Sequence, residues 1–129
     1  MKKISIALFA LMVLGACGSD GDKKEAAPAP ASSGSSLSSN PDYQKGLELI
    51  AKSDCLTCHK VGEKLIGPSY KDVAAKYESN DENIAMLAGK IIKGGQGVWG
   101  QIPMTAHPQL SEADAKQMVK YILLLKTAQ

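Results

Sequence analysis

From Pro41 to the end of the chain, apolar residues recur every three or four positions, and no run alternates in the manner of a strand. The pattern predicts an all-α domain. Asn40 followed by Pro41 reads as an N-cap and first-turn pair, opening a helix that turns Leu47, Ile50 and Ala51 inward and stops near Ser53. Gly67-Pro68 then breaks the chain. Tyr70, Val73, Ala74 and Tyr77 form the apolar stripe of a second helix, and Ile84, Leu87, Ala88 and Ile91 repeat that spacing in a third, which Gly94-Gly95 ends. Ser111-Glu112-Ala113-Asp114 is a capping-box pattern before a last helix that buries Ala115, Met118, Val119 and Ile122. No internal repeat is present.

Two stretches ahead of Pro41 depart from this pattern. MKKISIALFALMVLGAC has a basic start, an apolar run from Ile4 to Leu14 and small residues before Cys17, the arrangement of a secretory signal. The run is too short for a permanent span, which needs roughly 20 apolar residues. Leu14-Gly15-Ala16-Cys17 resembles the lipobox of bacterial lipoproteins, which implies that residues 1–17 are a signal peptide ending at a lipidated Cys17. Several acyl chains, at ~0.8 kcal/mol per CH₂, hold a protein at a membrane surface far more firmly than one. Residues 18–40, GSDGDKKEAAPAPASSGSSLSSN, contain almost nothing that can be buried and read as a disordered linker with a reach of roughly 25 Å. The remaining segment, 41–129, is the domain.

Charge and composition narrow the partners. Fifteen basic residues, all lysine, stand against thirteen acids, and four of the lysines with three of the acids lie before Pro41. The helical segment is therefore close to neutral, which argues against nucleic acid as a partner. A single Trp and a single Phe, the latter inside the signal segment, leave a domain of this size with a thin core. Some further apolar mass is needed to fill it.

The chemistry is concentrated in Asp54-Cys55-Leu56-Thr57-Cys58-His59-Lys60. A structural zinc knuckle normally finds a second ligand pair elsewhere, and the chain has none; His59 adjoins Cys58 and is badly placed to close a tetrahedron with it. A thioredoxin-like dithiol needs a strand and a helix around it, whereas these neighbours are helical. Cys-x-x-Cys-His is the attachment signal of c-type haem. Two cysteines at this spacing can each add across a vinyl group to form a thioether, and the adjoining histidine is carried under the iron. The haem also supplies the missing apolar mass.

A second axial ligand must come from downstream, where Met86, Met104, Met118 and His107 are available. Met86 and Met118 fall within predicted helices, where a packing role suffices. Met104 closes Gly97-Val98-Trp99-Gly100-Gln101-Ile102-Pro103-Met104, a loop whose glycines and proline can hold a side chain against a flat ligand, and it is the favoured candidate. His107 is the other candidate, or else a solvated loop histidine.

Taken in order, CLTCH, IGPSYKDVAAKY, GVWGQIPM and SEADAKQMVKYILL give residues 42–126 a plain resemblance to the small class I cytochromes c of the bacterial cytochrome c551 (c8) type. The resemblance implies about four short helices wrapped around one covalent haem c, with the first and last helices crossing so that Gly46 and Ile50 meet Tyr121. It implies that the Pro68 carbonyl accepts the ring N–H of His59, fixing the ligand's orientation. It also implies an indole N–H of Trp99 directed at a haem propionate, whereas core filling is that residue's simpler role. Lys90 falls where the family often has a basic residue near the same propionates. The chain departs from the family after the methionine, with Met104-Thr105-Ala106-His107-Pro108 in place of Met-Pro-Pro-Asn, so the resemblance does not by itself imply a hydrogen bond to the sulfur.

The expected function is a membrane-tethered monohaem carrier of single electrons, monomeric, outside the cytoplasmic membrane in the periplasm or extracytoplasmic space. It is not an enzyme, since with His59 and Met104 on the iron no position is open to a substrate. Its partners are redox proteins such as a terminal oxidase, nitrite reductase, peroxidase or quinol-oxidising complex. The alternatives are a haem sensor or peroxidase-like enzyme with an open iron, and a fixed subunit of a larger redox complex. Gly18 after the lipid cysteine favours the outer membrane where the enteric sorting rule applies.

Overall fold

A computed structural model describes residues 37–127. The expected signal segment, with Cys17 as its expected lipid site, and most of the expected linker lie outside the described residues. Among the described residues four complete α-helices follow one another: α1 (Pro41–Ala51), α2 (Tyr70–Lys76), α3 (Asp81–Lys93) and α4 (Glu112–Leu124), with short 3₁₀ turns at Asp54–Thr57 and Leu125–Thr127. No strand occurs among the described residues. A single antiparallel bridge joins Gly95 to Met104.

The helix starts follow the capping residues. The side chain of Asn40 accepts from the backbone N–H groups of Asp42 and Tyr43, with Pro41 opening the first turn. Ser69 and Asp72 form a reciprocal capping box at α2, Asn80 caps α3, and Ser111 caps α4. Ordered backbone begins before Pro41, since the N–H of Asn40 donates to the Leu37 carbonyl at 3.0 Å and the Gln44 amide to that of Ser38 at 2.9 Å.

The core gathers on α4. Ala115, Met118, Val119, Tyr121, Ile122 and Leu123 are all buried there, against Ile50 of α1, Tyr70, Val73 and Ala74 of α2, and Ile84, Ala88 and Ile91 of α3. The first and last helices cross at Gly46, as the resemblance implied. A Cβ at that position would run into the Tyr121 Cβ and fall 2.6 Å from the Gln117 carbonyl oxygen, so only glycine allows the approach. Gln117 seals the crossing with hydrogen bonds to the Asp42 carbonyl at 3.1 Å and carboxylate at 2.9 Å. Tyr43 packs on Tyr121 with ring centroids 4.9 Å apart, and Tyr70 meets Tyr121 edge-on.

The inward face of α1 differs from the expectation. Gly46 and Ile50 are buried, but Leu47 is 40% exposed and Ala51 is exposed. With the closest contact made through a glycine, the helix presents its backbone at the crossing, and the large residues to either side rotate outward. The helix also ends at Ala51, two residues before Ser53.

Candidate haem site

The segment after α1 is folded tightly on itself. In the turn Asp54–Thr57, the Cys55 carbonyl accepts from the N–H groups of Cys58 at 3.2 Å and His59 at 3.0 Å, so both thiols and the imidazole are set by one turn of backbone. The return stretch is then tied back, with Gly67 N–H donating to the Cys58 carbonyl at 2.9 Å and Tyr70 N–H to that of Lys60 at 2.9 Å.

This closure fixes His59. Its Nδ1 lies 2.8 Å from the Pro68 carbonyl oxygen. A carbonyl can only accept, so Nδ1 carries the proton, and the lone pair of a neutral ring is left on Nε2, the atom needed to bind a metal. Gly67 lies beneath the ring, where a Cβ would come within 2.8 Å of Nδ1. The buried Tyr70 ring stacks alongside at 5.6 Å between centroids and 18° between planes. Burial pushes the Cys55 thiol upward, with the Asp54 charge adding to it, and burial likewise drives the Tyr70 hydroxyl well above its ordinary range.

The opposite wall is the segment between α3 and α4. Met104 N–H donates to the Gly95 carbonyl at 2.8 Å, Gly97 N–H to that of Gly100 at 3.0 Å, and the Gln96 amide to that of Gln101 at 2.8 Å. Gly94, Gly97 and Gly100 take φ values of 78°, 96° and 129°, which L side chains rarely adopt. The result is a closed loop with Met104, half-buried, at its return.

Between the walls lies a cavity of about 710 Å³, lined by Cys55, Cys58, His59, Pro68, Trp99 and Met104 with an apolar floor that includes Ile50, Ile91 and Ile122. Its size is that of a cofactor pocket. The donor set fits a haem: two free thiols on one turn of backbone, an imidazole already in the metal-binding tautomer, and apolar surface for the ring. No cluster of three or more His, Cys, Asp or Glu suited to a bare metal ion occurs among the described residues.

The other candidates separate by position. Met118 is 1% exposed within α4, and Met86 lies on α3 at the cavity rim. Trp99 is 38% exposed and lines the cavity; the Lys76 ammonium sits 5.6 Å from its ring centre, a contact the sequence did not suggest. Lys90 is exposed and also borders the cavity. His107 corrects the picture of a solvated loop histidine. It is buried, its N–H donates to the Ile91 carbonyl at 3.0 Å, and its Nε2 meets the Asp54 carboxylate at 2.9 Å. That partner lies 53 residues away in the chain, and no local pattern signals it.

Comparison with known proteins agrees with this geometry. The family model described as cytochrome c matches residues 43–126. Cytochrome c-552 of Nitrosomonas europaea is 48% identical over 83 residues, covering 64% of this chain and 81% of the relative. Cytochrome c-551 of Azotobacter vinelandii is 45% identical over 83 residues, covering 64% of this chain and 100% of the relative. The crystal structure of the wild-type Nitrosomonas europaea cytochrome c552 superposes with a TM-score of 0.59 at 49% identity, covering 62% of this chain and 99% of that one. The chain therefore belongs to the cytochrome c family, as a class I member of the c551 type that carries electrons on one covalently bound haem c.

Proposed function

We propose that the chain is an exported, lipid-anchored carrier in which Cys55 and Cys58 tether the haem while His59 and Met104 close the two faces of its iron. The observation that carries this reading is the bond from His59 Nδ1 to the Pro68 carbonyl, which leaves Nε2 as the ring's free lone pair beside the thiols. When bound, haem supplies one-electron chemistry through the Fe(III)/Fe(II) couple, and a methionine ligand favours a relatively positive potential. Pro68 keeps the imidazole in one tautomer and orientation, so little rearrangement accompanies a change of iron charge. The Met104 loop excludes water and small molecules from the other face. Trp99, at the cavity edge, is the donor for a haem propionate.

Residues 1–17 serve as the lipoprotein signal, Cys17 as the anchor, 18–40 as the tether and 41–129 as the haem domain. A tether of this kind raises the effective concentration of the carrier beside partners on the same membrane. Those partners are redox complexes such as a terminal oxidase, nitrite reductase, peroxidase or quinol-oxidising complex, met at small transient patches at the haem edge.

The test is Met104→Ala in the holoprotein. Loss of the sulfur-to-iron charge-transfer band at the red end of the ferric spectrum, with a lower potential, is expected. An unchanged spectrum and potential would show that another group, or none, occupies that face, as in a sensor or peroxidase-like site.

A further inference from the structure

Asp54 and His107 make a contact that haem attachment does not require. Asp54 immediately precedes Cys55, and His107 follows Met104 by three residues, so the 2.9 Å bond between the Asp54 carboxylate and His107 Nε2 runs from the cysteine wall of the cavity to the methionine wall. The bonds described within residues 95–104 all close the loop on itself. His107 is where the end of that loop is fixed to the rest of the domain, through its backbone to the Ile91 carbonyl and through its ring to Asp54.

The histidine is also an expensive choice for packing. The residue is 9% exposed, and its Nδ1 is buried with no hydrogen-bond partner. A carboxylate accepts from Nε2–H, so the neutral ring leaves a bare lone pair on Nδ1 in a buried position, which carries a desolvation cost that an apolar side chain would avoid. The Asp54 side chain is 73% exposed, so the pair adds little to the core. Both residues line the cavity.

We propose that the Asp54–His107 pair is a latch across the haem crevice, a pair of positioning residues that holds the methionine loop closed against the iron. The inference rests on the assignment of Met104 as the axial ligand. Opening the loop lets Met104 leave the iron and an outside ligand take its place, so the latch sets how readily an exogenous base enters. Asp54 is the residue to change, because its exposure lets it be truncated without leaving a hole in the core.

The experiment is an imidazole titration of the ferric holoprotein, followed by disappearance of the sulfur-to-iron band, on the native chain, Asp54→Ala and Asp54→Asn. Asp54→Ala should bind imidazole about fivefold more tightly, equivalent to ~1 kcal/mol of lost closure. Asp54→Asn keeps an oxygen that accepts from Nε2–H while removing the charge, and should stay within about twofold of the native value. Unchanged affinity in Asp54→Ala overturns the latch, as does equal loosening in both variants. A native ferric protein without the band overturns the Met104 assignment instead, which separates the two failures.

Discussion

The two walls of the haem crevice are built by opposite means. On the His59 side, short-range backbone bonds from Cys55 to Tyr70 fold the segment onto itself, and α2 begins directly behind it with Ser69 capping into the core. On the Met104 side, positive-φ glycines and bonds internal to the loop give shape without depth, and most of residues 96–106 are exposed. The first wall is itself exposed along residues 60–66, but its backbone bonds tie it to the buried start of α2, and it should change only when the domain unfolds. The second is a local structure fixed at its ends, of the kind that opens below the global unfolding free energy. Of the two proposed ligands, His59 is thus set by global stability and Met104 by loop closure.

Substitutions on the two sides should separate these properties. The largest loss of stability is expected from Gly46→Val, which drives side-chain atoms into Tyr121 and the Gln117 carbonyl. Overpacking at this crossing should cost about 3 kcal/mol. That corresponds to a fall in melting temperature of about 15 °C by far-ultraviolet circular dichroism, with the ferric band intact in whatever remains folded. Ser69→Ala is intermediate. It removes the acceptor for the Asp72 N–H at 3.0 Å behind the His59 wall and should cost about 1 kcal/mol, or ~5 °C, with imidazole affinity unaltered. Gly97→Ala has the smallest effect on melting and reverses the pattern. A Cβ there meets nothing within 4 Å, yet the φ of 96° is strained for alanine, so melting should shift by less than about 3 °C while imidazole binds several-fold more tightly. If Gly97→Ala lowers melting and leaves imidazole binding alone, the loop is part of the same cooperative unit as the core, and the contrast between the walls fails.

The sequence made the helices legible because their ends carry local signals. Asn40-Pro41 and Ser111 cap where the pattern placed them, the Ser69–Asp72 capping box follows the Gly67-Pro68 break without having been read, and the stripes of α3 and α4 are buried as read, with Leu87 half-buried. The cysteine pair and His59 were legible because attachment chemistry demands contiguous residues. What periodicity missed was the phase of α1, where a buried glycine carries no hydrophobic signal and Leu47 carries one that the crossing does not use. It missed His107 for a related reason: a polar residue is buried only if a partner meets it, and Asp54 is distant in the chain. Trp99 was read as a site residue and lines the cavity, but its Lys76 contact joins two separate segments and leaves no trace in either.

The crossing of α1 and α4 also bears on the order of events during synthesis. Asp42 and Gln117, which bond across it, are 75 residues apart. A chain made from its amino terminus completes α1 and the cysteine turn long before the surface that receives Gly46 exists, and closing so long a segment carries an entropic penalty that local contacts do not offset. The emerging polypeptide is therefore held open by its own topology. Cys55, Cys58 and His59 are displayed on an unclosed chain, and the step that shuts the domain around them waits for its last helix.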